Sequence, residues 1–229
     1  MIAADWPLSW LQSQLNITPR DVAIYEQALT HRSASADNNE RLEYLGDAVL
    51  SFLVAEELFA MHPHLDEGDL SRMRARLVSG AELAPVAAAI GIGEQLRLGS
   101  GEAANGGHRR ESILADALEA LIGAVYLDRG IDVARCVTLR LLRERLDVLP
   151  DPDALKDAKT RLQEYLQSRG MPLPEYRLQA THGEPHEQVF HVCCAVRGLT
   201  DAGHGSGSSR RKAEQEAAQQ VLDSLLEQQ

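Results

Sequence analysis

From Tyr25 to about Asp147 apolar residues recur every three or four positions, as in Leu42, Leu45, Val49, Phe52 and Leu53, and strand-like alternation is nearly absent. This spacing predicts an all-helical N-terminal half in which each helix buries one face. Asn38 and Asn39 precede Glu40 as candidate caps, and the glycine-rich stretches 98–101 and 105–107 predict a long loop before a helix starting near Ser112. The segment Leu149-Pro150-Asp151-Pro152-Asp153 reads as a linker, because each proline lacks an amide donor and restricts the residue before it. Beyond it the pattern predicts a helix over 159–168, strands around 176–180, 189–196 and 199–206, and a helix over 210–226. The order α-β-β-β-α implies one sheet with both helices on a single face. The expected domains are an all-α unit over 1–150 and an α+β unit over 155–227.

A hydrophobic fraction of 44 % with 25 % charged residues is ordinary for a folded globular chain and argues against wholesale disorder. The opening residues lack a basic stretch followed by an apolar core, and no uncharged apolar run approaches the ~20 residues of a membrane span. The expectation is a cytoplasmic protein without membrane association. Cys136, Cys193 and Cys194 form no Cys-x-x-Cys pair, and their odd number suits reduced, buried or half-buried structural thiols. The formal net charge of -11 runs against nucleic-acid binding, which calls for Lys and Arg to neutralise phosphates. Residues 1–150 carry 14 basic and 22 acidic side chains and residues 151–229 carry 9 and 12, so any RNA footprint has to be local.

Glu40, Glu43 and Asp47 stand at i, i+3 and i+7 and share a helix face. Asp116 and Glu119 interrupt the otherwise apolar helix of Ser112-Ile113-Leu114-Ala115-Asp116-Ala117-Leu118-Glu119-Ala120-Leu121. Carboxylates on an apolar face need a cation. Arg41, Arg72, Arg74 or Arg76 could supply it through salt bridges. Alternatively, five acids on two helices could hold a hard divalent ion such as Mg²⁺, a ligand set suited to phosphodiester hydrolysis. A di-iron bundle would need Glu-x-x-His repeats, and there are none. Gly-x-Ser-x-Gly and Walker-type loops are also missing, which disfavours serine hydrolases and nucleotide hydrolysis.

The run Asn39-Glu40-Arg41-Leu42-Glu43-Tyr44-Leu45-Gly46-Asp47-Ala48-Val49-Leu50 closely resembles the signature of the ribonuclease III family. His31-Arg32-Ser33, Asp66-Glu67-Gly68-Asp69-Leu70-Ser71 and Arg109-Arg110-Glu111-Ser112-Ile113-Leu114-Ala115-Asp116 resemble further family blocks in family order, as does Leu118-Glu119-Ala120-Leu121-Ile122-Gly123-Ala124. The resemblance implies a helical endonuclease domain in which Glu43, Asp47, Asp116 and Glu119 bind Mg²⁺, with Mn²⁺ as a substitute and with Asp47 and Glu119 essential for catalysis. One or two ions per site remain open. It also implies secondary acids at Glu40 and Glu67, near a dimer interface or the RNA-cutting valley, with a structural role as the other reading. Tyr44 falls where the family inserts an aromatic ring into a partner subunit, the alternative being core packing.

Residues 160–167 resemble the first helix of a double-stranded-RNA-binding domain, and Gly205-Ser206-Gly207-Ser208-Ser209-Arg210-Arg211-Lys212-Ala213-Glu214 resembles the opening of its last helix. Such a domain reads A-form shape across two minor grooves and the phosphates between them. By this resemblance Arg210, Arg211 and Lys212 contact phosphates, while Gln163, Glu164 and, on the next turn, His186 reach the minor grooves; His182 reads as an exposed loop residue. The implied protein is a homodimeric endoribonuclease that makes staggered cuts in double-stranded RNA, leaves 5′-phosphate and 3′-hydroxyl ends, and processes precursor ribosomal RNA and structured transcripts. A non-catalytic RNA-binding protein of the same fold would show a neutral residue at Asp47 or Glu119, and both acids are present.

Overall fold

The computed structural model describes residues 8–150, 155–184, 187–199 and 202–227. The chain divides into two compact units between Pro150 and Asp151. In the first, described from Leu8, the α-helices are α1 (Leu8–Trp10), which continues into a π-helical turn at Leu11–Leu15, α2 (Val22–Ala28), α3 (Glu40–Met61), α4 (Glu67–Leu77), α5 (Gly80–Ala89), α6 (Ile92–Gln95), α7 (Ser100–Ala104), α8 (Glu111–Arg129) and α9 (Ile131–Asp147). The described part of this unit is all-helical. Its 97–110 segment is not a plain loop as the glycines suggest, since α7 and a further helical turn at Gly107–Arg109 form between them.

Helix α8 is the centre of the unit. Ile113, Leu114, Leu118, Leu121, Ile122 and Val125 are all buried, together with the alanines between them, so neighbours cover this helix nearly all round. Helix α3 packs against it, and Leu42, Val49, Leu50, Leu53 and Val54 of α3 are buried. The start of α3 is held by Asn38, whose Oδ1 accepts the Glu40 amide at 3.0 Å, whereas Asn39 makes no side-chain cap because its side chain turns into the interior. Phe52, grouped with the core by its spacing, is 54 % exposed on the outer side of α3. Cys136 departs from the expected burial and is exposed on α9, while Cys193 is half-buried and Cys194 buried.

The second unit runs α10 (Ala158–Ser168), β1 (Glu175–His182), β2 (Val189–Ala195), β3 (Gly203–Gly207) and α11 (Arg210–Glu227). The strands form one antiparallel sheet in the order β1-β2-β3, with Tyr176 opposite Cys194 and Cys194 opposite Gly203. Leu162 and Leu166 of α10 share a core with Val192 and Cys194 of β2 and with Ala213, Ala217, Val221 and Leu222 of α11, so both helices cover one sheet face. The third strand starts at Gly203 and not near Leu199. Gly198, at φ +98°, turns the chain there, and the Leu199 amide bonds back to the Val196 carbonyl at 3.0 Å. Of the expected linker, 151–153 lies outside the described residues. Among the described residues no helix is long and apolar enough to cross a membrane.

Candidate functional site

Helices α3 and α8 approach closely because each presents a glycine at the crossing. A Cβ on Gly46 would overlap the Glu119 carbonyl of α8, and one on Gly123 would overlap the Leu42 carbonyl of α3. Glu43 and Asp47 flank Gly46 in the chain, and Asp116 and Glu119 lie two turns and one turn before Gly123, so the contact that brings the backbones together also gathers the acids. One carboxylate oxygen from each of Glu43, Asp116 and Glu119 falls within 4.8 Å of the other two. Asp47 stands outside this tight triple, exposed one turn further along α3.

The electrostatics of the group match its geometry. Burial pushes the Glu119 carboxyl up to about 8, helped by the negative charges of Asp47, Asp116 and Glu43. Glu43 is raised by burial and then by Asp116, Glu40 and Asp47, with Arg32 acting the other way. Asp116 is raised by burial, with His31 and Arg32 opposing. Among the described residues none of these four acids has a salt bridge. Of the arginines expected as possible partners, Arg72 pairs with Asp69 at 2.6 Å and Arg76 with Glu82 at 2.8 Å. The internal salt-bridge reading is therefore not realised. An all-oxygen cluster that resists ionisation without an external positive charge fits a hard divalent cation.

The other expected acids lie elsewhere. Glu40, at the first position of α3, pairs with Arg32 at 3.2 Å. Glu67, at the start of α4, accepts from the Ser71 hydroxyl at 2.8 Å and lines a separate cavity with Phe59 and Arg74. Core packing does not apply to Tyr44, which is 83 % exposed. Together with Phe52 and Phe59, at i+8 and i+15, it forms an apolar stripe along the outer face of α3.

In the second unit Arg210, Arg211 and Lys212 form the exposed first turn of α11. Arg210 donates to Glu214 at 2.9 Å, and Lys212 Nζ reaches the Ser208 hydroxyl at 3.3 Å. Gln163 is exposed on α10, and Glu164 beside it is paired with Lys156 at 2.7 Å. His182 is exposed at the end of β1 with its ring 5.3 Å from that of His191; His186 lies outside the described residues. Sequence reasoning missed Lys159, which bridges to Glu214 at 2.6 Å and stacks over Tyr176 at 4.3 Å. Its partners are 55 and 17 positions away, and no local spacing marks them.

A helical domain that gathers unpaired carboxylates at a helix crossing, followed by an α-β-β-β-α domain with a basic helix start, defines a nuclease module joined to a double-stranded-RNA-binding module. Family models match in the same order, Ribonuclease-III-like over residues 21–146 and Double-stranded RNA binding motif over residues 158–225. The chain belongs to the ribonuclease III family of double-stranded-RNA endoribonucleases, in its bacterial two-domain form. It is 53 % identical over 218 residues to Ribonuclease 3 of Hahella chejuensis, covering 95 % of this chain and 96 % of that protein. Two solved structures of the nuclease domain of ribonuclease III from Campylobacter jejuni share 40 % and 39 % identity, each with a TM-score of 0.60. They cover 62 % and 63 % of this chain and 99 % of their own chains. One of the two is described for structural flexibility in a region involved in dimer formation.

Proposed function

We propose that the protein is a divalent-metal-dependent endoribonuclease that hydrolyses phosphodiester bonds of double-stranded RNA by staggered cuts, leaving 5′-phosphate and 3′-hydroxyl ends. The observation that carries this reading is the unpaired carboxylate group at the α3–α8 crossing, in the same chain as a double-stranded-RNA-binding domain. Glu43, Asp47, Asp116 and Glu119 would hold Mg²⁺, or Mn²⁺ in its place. When bound, such an ion supplies charge stabilisation at the phosphate and a more acidic water. The chain's own residues present an anionic, all-oxygen cradle in fixed orientation, because the Gly46–Gly123 contact allows α3 and α8 little freedom to slide. Arg210, Arg211 and Lys212 would neutralise phosphates at the start of α11, where the helix dipole also favours anions. Gln163, Glu164 and His186 would reach 2′-hydroxyls in the minor grooves.

The apolar stripe of Tyr44, Phe52 and Phe59 supports a homodimer, in which two sites related by symmetry would cut the two strands. Glu40 and Glu67 would act at the edges of that assembly. Precursor ribosomal RNA and structured transcripts are the proposed substrates. The proposed location is the cytoplasm, where the three free cysteines would stay reduced. The test is incubation of the purified protein with long duplex RNA, with Mg²⁺ and with excess EDTA, followed by analysis of the product ends. Mg²⁺-dependent cutting to 5′-phosphate ends is expected. Full cleavage in EDTA, or tight RNA binding without any cleavage in Mg²⁺, would sink the proposal.

A further inference from the structure

Beside the carboxylate group, and sharing Glu43 and Asp116 with it, lies an open cavity of about 500 Å³ whose remaining wall is rich in hydrogen-bond donors. Arg32 and Arg110 line it, and each is tethered by a carboxylate that also lines it, Arg32 to Glu40 at 3.2 Å and Arg110 to Glu102 at 2.8 Å. His31 and Ser33 complete this side. The His31 ring nitrogen Nδ1 and the Ser33 hydroxyl lie 2.8 Å apart, and that hydroxyl accepts the Gly99 amide at 3.0 Å. The His31 amide donates to the Arg97 carbonyl at 3.0 Å, so backbone contacts fix the wall before any ligand arrives.

Two separate observations point to an occupant. Asn39 lines the cavity and is 2 % exposed, yet its Nδ2 has no hydrogen-bond partner among the described residues, an unfavourable state for a buried donor. In addition, α8 starts at this cavity. Arg110 at its N-cap supplies no side-chain cap, and Ser112 and Ile113 of its first turn line the space, so the positive end of a 19-residue helix faces it.

We infer that this cavity binds a backbone phosphate of the RNA strand being cut, next to the phosphate presented to the four acids. The inference rests on the ribonuclease reading above. Although Glu40, Glu43, Glu102 and Asp116 also line the cavity, two guanidinium groups, an imidazole, a buried amide donor and a helix N-terminus give it a set of donors suited to an anion, and the phosphates are the anionic groups of duplex RNA. Glu40 and Glu102 each engage one part of a five-donor guanidinium, leaving further donors for phosphate. They are positioning residues: they aim the arginines and balance their charge until RNA arrives.

The test uses the full-length protein with Mg²⁺ and a short RNA duplex cut at one defined bond. Neutral methylphosphonates are placed in turn at the phosphates on either side of that bond. The wild type is expected to lose about tenfold in kcat/KM at one of these positions, the effect of one lost charged contact. Arg110→Gln should lose about tenfold on the unmodified duplex and little more on that modified one, because both changes remove the same contact. Arg110→Lys should restore part of the loss, and an unchanged Tm would confirm that the half-exposed side chain was not needed for folding. Penalties that multiply at both positions, or an Arg110→Gln variant that cuts the unmodified duplex at the wild-type rate, would overturn the phosphate site while leaving the ribonuclease reading intact. A wild type unable to cut the unmodified duplex would defeat that reading, and the site with it.

Discussion

At the α3–α8 crossing burial drives Glu119 up to about 8, and every neighbouring charge that adds to the shift is negative. At the start of α11, burial also works upward on Glu214, yet hydrogen bonds and ion pairs with Lys159 at 2.6 Å and Arg210 at 2.9 Å hold it below the usual carboxylate range. Asp157, which caps α10 by accepting the Thr160 amide at 2.9 Å, is likewise partly buried and likewise lowered, by that bond and by contacts with Gln215 and Arg211. The desolvation has the same sign in both units, so the difference lies in the partners. Where the fold has supplied a partner, the carboxylate is structural. Where it has left several acids together without one, the group is a candidate site for a cation from outside the chain.

Glu119→Gln tests this contrast most severely. The amide keeps shape and hydrogen-bonding capacity but removes the charge, so cleavage should fall at least about a thousandfold while duplex RNA is still shifted in a gel. Because it also removes repulsion, the variant should melt no lower than the wild type. A less stable variant that cleaves within a few-fold of wild type would instead make Glu119 a structural ion-pair partner. The same residue sets a pH dependence. Its folded value of about 8 lies above the ordinary 4.5, so the folded state holds the proton more tightly and the metal-free protein should lose stability as pH rises between those values. Glu119→Gln should flatten that slope in EDTA, and the Tm increase on adding Mg²⁺ should be larger near pH 8 than near pH 5. A metal-free Tm that rises through this window would contradict the assignment.

Next in size is Gly123→Ala. The added methyl meets the Leu42 backbone, so separating α3 from α8 should cost about 3 kcal/mol, on the order of 10 °C in the Tm of this unit, and should reduce cleavage at any temperature where the protein stays folded. A normal Tm with normal cleavage would show that the close crossing does not organise the site.

On the other side of the comparison, Glu214→Gln should destabilise the second unit by only about 1 kcal/mol, since Lys159 and Arg210 both reach solvent. The sign of its pH dependence is opposite. Glu214 is depressed when folded, so its contribution is present above the ordinary carboxylate value and is lost as pH falls through the lowered one, a loss the variant should no longer show. The smallest expected effect is that of Lys212→Ala, which should reduce the slope of log binding constant against log salt by about 1 without changing cleavage of bound RNA. An unchanged slope would move the phosphate contacts elsewhere.

Much of this organisation follows from short-range pattern. Helical spacing and the proline-rich segment are local properties, so the chain alone specified a helical unit, an α-β-β-β-α unit and acids one turn apart on a single helix face. Local pattern also carried the motif blocks on which the family resemblance rests. What it lacks is any record of which faces meet. Glu43 joins Asp116 and Glu119 only because glycines 77 positions apart let two helices touch, and that same contact leaves Asp47 outside the tight triple and Glu67 in another cavity. Periodicity placed Phe52 in the core, but it is 54 % exposed, because helical spacing marks an apolar position without saying whether another element covers it. Partner choice is the other tertiary decision. Glu214 and Glu119 are both partly buried helix glutamates, and it is the cation folded against one and withheld from the other, from positions far away in the chain, that makes the first a structural anchor and the second a candidate metal ligand.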